Sequence, residues 1–410
     1  MFKGGIANYN TSLAKAFDKL KNTDVHIVSW TQQYPAIIPR DFIDRKSKVD
    51  QLEGTNIKVH YITNYNNPAS WNATVKLIKS LKPEKVIFQW AIAIQGIPLS
   101  YIAKRLKKLT NIEVFFDLHF VIQKEGSALD NALTKKGIKY ANSYIVHAYK
   151  TADELTTLFP NKEFEIIERG EEIKEEGIKV LKLYHPVYDM FAPDPDFDVV
   201  KAKGEMKLNN YVFLFFGFIR KYKGLHNVIK AFSNIAEQRD DVSLLVVGES
   251  FWNTLDSKKL STRIKNATFG LAKKLFLKKQ DDEKDYNPLA LTEELNLTDK
   301  VFVDNEFVPN EEVHKYFQVS DGIMLFYLTA TPSGIESIAY NFNMPMLATN
   351  VGHFPETVKD GYNGYIAEPD NIDSMAEAML KSIEKPIDRN NVASTSKDMS
   401  WANYAKEILR

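Results

Sequence analysis

Arg220 and Lys223 lie between an apolar run and a helical repeat in YVFLFFGFIRKYKGLHNVIKAF (211–232). The run up to Gly217 has the length and the aromatic and β-branched content of a buried strand. Beyond Gly224, Leu225, Val228, Ile229 and Phe232 recur at helical spacing. Two cations in a tight turn before a helix stand where backbone N–H groups and the helix dipole already favour an anion. Such a turn can hold a phosphate, although an ordinary turn with a solvated Arg and Lys has the same letters. A second turn of this kind follows the apolar run DGIMLFY (321–327), in LTATPSGIESIAYNF. Pro332 sits where a helix can start, while Thr331, Ser333 and Gly334 offer hydroxyls and close backbone approach. Two such turns facing one crevice suit a diphosphate.

The elements that must position these turns alternate along the chain. Strand-like runs are VHIVSW (25–30), IKVHYI (57–62), KVIFQW (85–90), IEVFFDLH (112–119), SYIVHA (143–148) and IKVLKLY (178–184). A second set is YVFLFF, VSLLVVG (242–248), KVFVD (300–304), GIMLFY, PMLATN (345–350) and GYIAEP (364–369). Helical patterns separate them, which predicts an α/β protein with two parallel sheets covered on both faces. HPVYDMFAPDPDFD (185–198), rich in Pro and Asp, reads as the linker. A cleft between two such sheets, at the carboxyl ends of the strands, is where a ligand is expected.

Composition narrows the function. At 410 residues the chain exceeds one ordinary core, and 44% hydrophobic content supports two. Lys+Arg and Asp+Glu balance at 53 each, so no basic surface argues for nucleic-acid binding. The chain has no Cys, hence no disulfide, thiol nucleophile or Cys-ligated metal. No signal peptide and no membrane-spanning run is recognised, and a cytoplasmic location is expected. Asp194-Pro195-Asp196 has the letters of a metal-binding D-x-D but lies in the linker without a preceding strand. DDEKD (281–285) reads as a surface charge run, and no His pair has metal-ligand spacing. No metal is expected.

Nearly the whole chain resembles the retaining glycosyltransferases of the GT-B type, family 4. The resemblance rests on GGIANYNTSLAKAF (4–17), HPVYDMF (185–191), GFIRKYKGLHNVIKAF (217–232), VVGE (246–249), FVPNEEVHKYFQVSDGIMLFY (307–327), SGIESIAYNFNMPMLATNVGHFPETVKDGYNGYIAEP (333–369) and SWANYAKEIL (400–409). It implies two Rossmann-like domains facing a cleft, over 1–190 and 191–390, with residues 391–410 crossing back to the first domain. It implies transfer of a sugar from a nucleoside-diphosphate donor to a glycan or lipid-linked acceptor hydroxyl, without a cofactor. Arg220 and Lys223 match the family's basic pair, Gly217 lies beside them, and Ser333 and Gly334 match its helix-start phosphate contact, with Thr331 just before. Gly4 and Gly5 match its glycine loop. His119 matches a histidine facing the transferred sugar; by itself it reads as a core histidine hydrogen-bonded at a strand end.

Two departures follow. The family's Glu-x7-Glu positions are Ala330 and Ile338 here. Glu336, two residues off on another helix face, is a candidate ribose contact or a solvated carboxylate. Relatives also open with a central strand before the glycine loop, whereas this chain reads Met1-Phe2-Lys3 and then Gly4. The first strand of the first domain is therefore expected to be missing, with a start lying upstream. A nucleotide-sugar epimerase or hydrolase on the same plan, and an inactive nucleotide-sugar-binding partner subunit, are the alternative functions. An insertion over about 251–285 carries SKKLSTRIKNATFGLAKKLFLKKQ (257–280), with eight cations and no acid. Its apolar residues recur near helical spacing, as in an interfacial helix on an anionic membrane; the alternative is a helix with a solvated basic face.

Overall fold

The computed structural model describes residues 5–33, 50–109, 111–122, 128–250, 286–332 and 334–410. Gly4, Ser333 and the basic stretch 257–280 lie outside them. The first half contains α1 (Gly5–Asp18), β1 (His26–Gln32), β2 (Lys58–Asn64), α2 (Pro68–Leu81), β3 (Lys85–Trp90), α3 (Gly96–Leu109) and β4 (Glu113–Leu118). It continues through α4 (Ala128–Ile138), β5 (Ser143–Val146), α5 (Tyr149–Leu158), β6 (Phe164–Glu168) and β7 (Ile178–Lys182). β3 to β7 form a parallel sheet in the order β3-β4-β5-β7-β6, while β1 and β2 form a separate parallel pair. Among the described residues no ladder joins β1 to β3. The two pieces are held by packing instead: Val28 and Trp30 of β1 lie against the core built on Phe88, Val114 and Phe116. Thus the single first-domain sheet expected from the alternation is two ladders, because no described strand lies between β1 and β3.

β6 is an element the sequence pattern missed. FEIIE mixes apolar and acidic residues and lies at the sheet edge, where Ile166 is exposed. An edge strand needs no continuous apolar run, since only one side of it is paired.

In the second half, α6 (Val199–Glu205), β8 (Tyr211–Phe216), α7 (Leu225–Ala236), β9 (Val242–Val247), α8 (Leu291–Glu294), β10 (Val301–Asp304), α9 (Val313–Gln318) and β11 (Gly322–Leu325) come first. Then follow α10 (Gly334–Asn341), β12 (Met346–Thr349), α11 (Phe354–Thr357), β13 (Gly364–Ala367), α12 (Ile372–Glu384), α13 (Arg389–Ser396) and α14 (Trp401–Leu409). The six strands are all parallel, in the order β10-β9-β8-β11-β12-β13. The chain winds outward in both directions from β8 and β11, so the topological switch point lies between their carboxyl ends. α7 covers one face with Leu225, Val228, Ile229 and Phe232 buried, as their spacing predicts.

α14 packs on α1 of the first domain, where Tyr9 and Tyr404 hydroxyls are 2.6 Å apart. Arg410 donates to the Glu171 carbonyl at 2.6 Å, and Arg169 pairs with Asp398 at 3.1 Å. Glu356 of α11 accepts from the Tyr149 N–H at 3.1 Å, at the start of α5, and lies 3.8 Å from Lys182 Nζ. Of the residues between the two sheets, 192–198 stay largely exposed, including Pro195 and Asp196, whereas the part before them packs inward. Tyr188 and Phe191 are buried, and the Tyr188 hydroxyl donates to the Gly5 carbonyl at 2.9 Å.

Candidate active site

Gly217 follows β8 with φ +91°, a conformation that suits glycine. A Cβ there would lie 3.0 Å from Lys223 Nζ and 3.1 Å from Ile335 Cδ1. The close approach shows that the basic turn after β8 and the start of α10 meet at the switch point. Gly224, with φ +70°, has no room for a side chain: a Cβ would sit 2.1 Å from the Phe326 carbonyl oxygen. The Leu328 N–H donates to the Tyr222 carbonyl at 2.7 Å, tying the same two loops. Lys223 is buried rather than solvated, with its Nζ 5.9 Å from the Tyr327 ring centroid. Arg220 lies in the same turn, its guanidinium carbon 5.7 Å from the Tyr222 ring centroid.

Gly334 opens α10 against Tyr188, where a Cβ would be 2.6 Å from ring Cε2. This glycine is needed for packing. Because Tyr188 also reaches Gly5, one buried ring links the start of α1 to the start of α10. Thr331 is half-buried just before that helix. Sequence reasoning missed Tyr188; its position in HPVYDMF marked a resemblance but no role.

His119 follows β4 and is buried, with Nε2 2.8 Å from Gln89 Oε1. Tyr9 of α1 meets its ring edge-on, centroids 4.7 Å apart at 87°. His147 Nε2 is 2.9 Å from Asp117 Oδ1, and the Tyr9 hydroxyl is 2.8 Å from Asp117 Oδ2. A hydroxyl has one proton, so Tyr9 donates to Asp117 and accepts from Tyr404. His185, whose ring meets Tyr9 edge-on with centroids 4.9 Å apart, has its Nδ1 2.6 Å from the Ser337 hydroxyl on α10. Ligand atoms of Asp117, His119 and His147 lie within 4.8 Å of one another, close enough to share an ion. They are, however, engaged with Tyr9, Gln89 and the Leu183 carbonyl as a hydrogen-bonded network. Nothing in the local spacing signals this grouping, since His147 follows the neighbouring strand β5.

Burial holds the His119 imidazole down at about 4, opposed by Asp117 and reinforced by His147. His185 is also lowered well below the usual value, chiefly by burial. Burial pushes the Asp117 carboxyl up, but His147, His119 and the Tyr9 hydroxyl together outweigh it and leave it low. An unfolded histidine titrates near about 6.5, so below that pH the unfolded chain takes up a proton that folded His119 refuses. Stability is therefore fully present above about 6.5 and falls as pH drops toward 4, by on the order of 3 kcal/mol for His119. Urea midpoints from pH 7 to 4.5 check this: His119→Gln should flatten the fall, and an unchanged slope would count against it.

Glu336 is not a solvated helix carboxylate. It is buried, its Oε2 bonds His353 Nε2, and its Oε1 is buried with no partner among the described residues. Ala330 and Ile338, at the family's carboxylate positions, are both buried. A cavity of about 560 Å³ lined by Lys182, Tyr184, Glu356, Asn403 and Tyr404 holds none of the residues chosen from sequence.

Residues 196–399 match the family described as glycosyl transferases group 1. No curated protein sequence matches the chain. Among solved structures, Anabaena HepE in complex with UDP and glucose aligns with TM-score 0.67 at 14% identity, covering 100% of this chain and 96% of that one. Sucrose-phosphate synthase from Thermosynechococcus elongatus gives 0.63 at 14%, covering 99% and 92%. A UDP-forming α,α-trehalose-phosphate synthase from Burkholderia xenovorans, with glucose-6-phosphate, gives 0.64 at 12%, covering 100% and 95%. The whole chain thus has the two-domain GT-B fold, and its residues 196–399 match the glycosyl transferases group 1 family.

Proposed function

We infer that the protein is a metal-independent retaining glycosyltransferase of family 4. It moves a sugar from a nucleoside-diphosphate donor to a glycan or lipid-linked hydroxyl in surface polysaccharide or glycolipid assembly. The observation that carries this reading is the meeting of Gly217, Lys223 and Ile335 at the switch point, beside the helix that Gly334 opens. Arg220, Lys223 and the backbone at 333–334 hold the diphosphate and stabilise the charge that develops as it leaves. Gly4 and Gly5 let the chain approach the sugar, and His119 faces it. Thr331 and Glu336 lie on the donor side.

Since similar structures hold UDP and glucose or carry a UDP-forming activity, a panel headed by UDP-glucose is the first test. Expected are donor-dependent thermal stabilisation, nucleotide release that needs an acceptor, a product of unchanged anomeric configuration, and full activity in EDTA. Inversion would refute retention, and loss in EDTA would refute metal independence. The buried apolar residues at 330 and 338 favour a second reading, an inactive nucleotide-sugar-binding subunit, which predicts stabilisation without turnover. An epimerase or hydrolase would consume donor without acceptor.

No helix among the described residues is long and apolar enough to cross a membrane. We propose a cytoplasmic protein whose basic stretch 257–280 rests peripherally on an anionic surface. Cosedimentation with anionic liposomes should occur at low salt and weaken at high salt. Binding unchanged after removal of 257–280 would end the proposal.

A further inference from the structure

Gln89 stands at the end of β3 with its side-chain amide between two groups of unlike demand. Its Nε2 is 3.3 Å from Asp117 Oδ2, and its Oε1 is 2.8 Å from His119 Nε2. Asp117 is fully buried and faces donors elsewhere, the Tyr9 hydroxyl at 2.8 Å and His147 Nε2 at 2.9 Å. An ionised carboxylate only accepts, so the amide must turn its NH₂ toward Asp117 and its oxygen toward His119. The amide oxygen also only accepts. His119 must therefore donate from Nε2, and its neutral ring then has an unprotonated Nδ1. Among the described residues nothing bonds that Nδ1, and it is not one of the sealed, unpartnered polar atoms. Tyr9, edge-on at 4.7 Å, restrains the ring in the perpendicular direction.

We propose that Gln89 is the positioning residue for His119: it relays the orientation demanded by Asp117 into one ring tautomer and leaves Nδ1 to accept from a sugar hydroxyl. The proposal rests on the reading of His119 as facing the transferred sugar. A neutral amide suits this relay because only a group with an acceptor at one corner and a donor at the other satisfies both neighbours. Leucine would fill similar space with neither. Glutamate would keep the acceptor toward His119 but place a second carboxylate oxygen beside Asp117.

The test is long-range ¹H–¹⁵N correlation of the histidine rings in the full chain, with His119 assigned by its loss in His119→Gln. Wild type should show the Nε2–H tautomer, and Gln89→Leu should show a mixture or the Nδ1–H form. With UDP-glucose as probe, Gln89→Leu should lower kcat by at least about tenfold while the donor KM hardly changes. Gln89→Glu, which keeps an acceptor at the same place, should restore the tautomer and part of kcat. An Nδ1–H form in wild type, or a tautomer unmoved in Gln89→Leu, would overturn the proposal, even if the variant loses stability. If Gln89→Leu does not fold, the wild-type and Gln89→Glu tautomers still decide. The tautomer is read without donor, so a wild-type protein inert toward UDP-glucose would count against transfer from that donor and leave this result standing.

Discussion

Arg220→Ala should lower turnover by roughly 10²-fold or more, the usual cost of removing one donor that stabilises charge in the transition state. The loss should fall mainly on kcat, because the charge on the leaving diphosphate grows as the glycosidic bond breaks. Folding should change little: Arg220 is half-buried in a turn held mainly by backbone bonds, such as Lys223 N–H to the Arg220 carbonyl at 3.0 Å. The measurements are steady-state kinetics on the donor found by the screen, with thermal unfolding alongside. Wild-type kcat in the variant would show that the guanidinium merely packs near Tyr222 and carries no diphosphate.

Gly224→Ala should be the most damaging single methyl group in the second domain's turns. The residue has φ +70°, and the added carbon would lie 2.1 Å from the Phe326 carbonyl oxygen. Backbone on both sides leaves no flexible side chain to move aside, so β8 and β11 would have to part at the switch point. Left-handed strain and the clash together should cost on the order of 4 kcal/mol. Gly170→Ala is the control, since Gly170 has φ +81° but nothing within 4 Å. It carries the strain alone and should lose only about 1 kcal/mol. Equal urea midpoints for the two variants would show that the close approach to Phe326 is not what requires Gly224.

Much of the second domain was legible because its pattern is local. Each buried parallel strand is a continuous apolar run, and each turn beyond it is marked by Gly, Pro or a basic pair. Those runs coincide with β8 to β13. The first domain was less legible. β6 mixes Phe, Glu, Ile, Ile and Glu at an exposed edge, so neither an unbroken apolar run nor a strict period of two identified it. Likewise the division into β1–β2 and β3–β7 is a matter of pairing, to which no single strand's composition refers.

The candidate site divides in the same way. Gly217, Arg220, Lys223 and Gly334 were accessible to sequence reasoning because the steric and electrostatic needs of a turn are met by residues a few positions apart. What only the tertiary structure decided is the company these residues keep. Lys223 is buried beside Gly217; Glu336 is paired with His353 instead of solvated; Tyr188 spans Gly5 and Gly334. His119, ambiguous in sequence, is bound into a network with Gln89, Asp117, His147 and Tyr9. The physical reason is that backbone conformation and apolar burial are set within one element, whereas a polar side chain is defined by partners that other strands deliver.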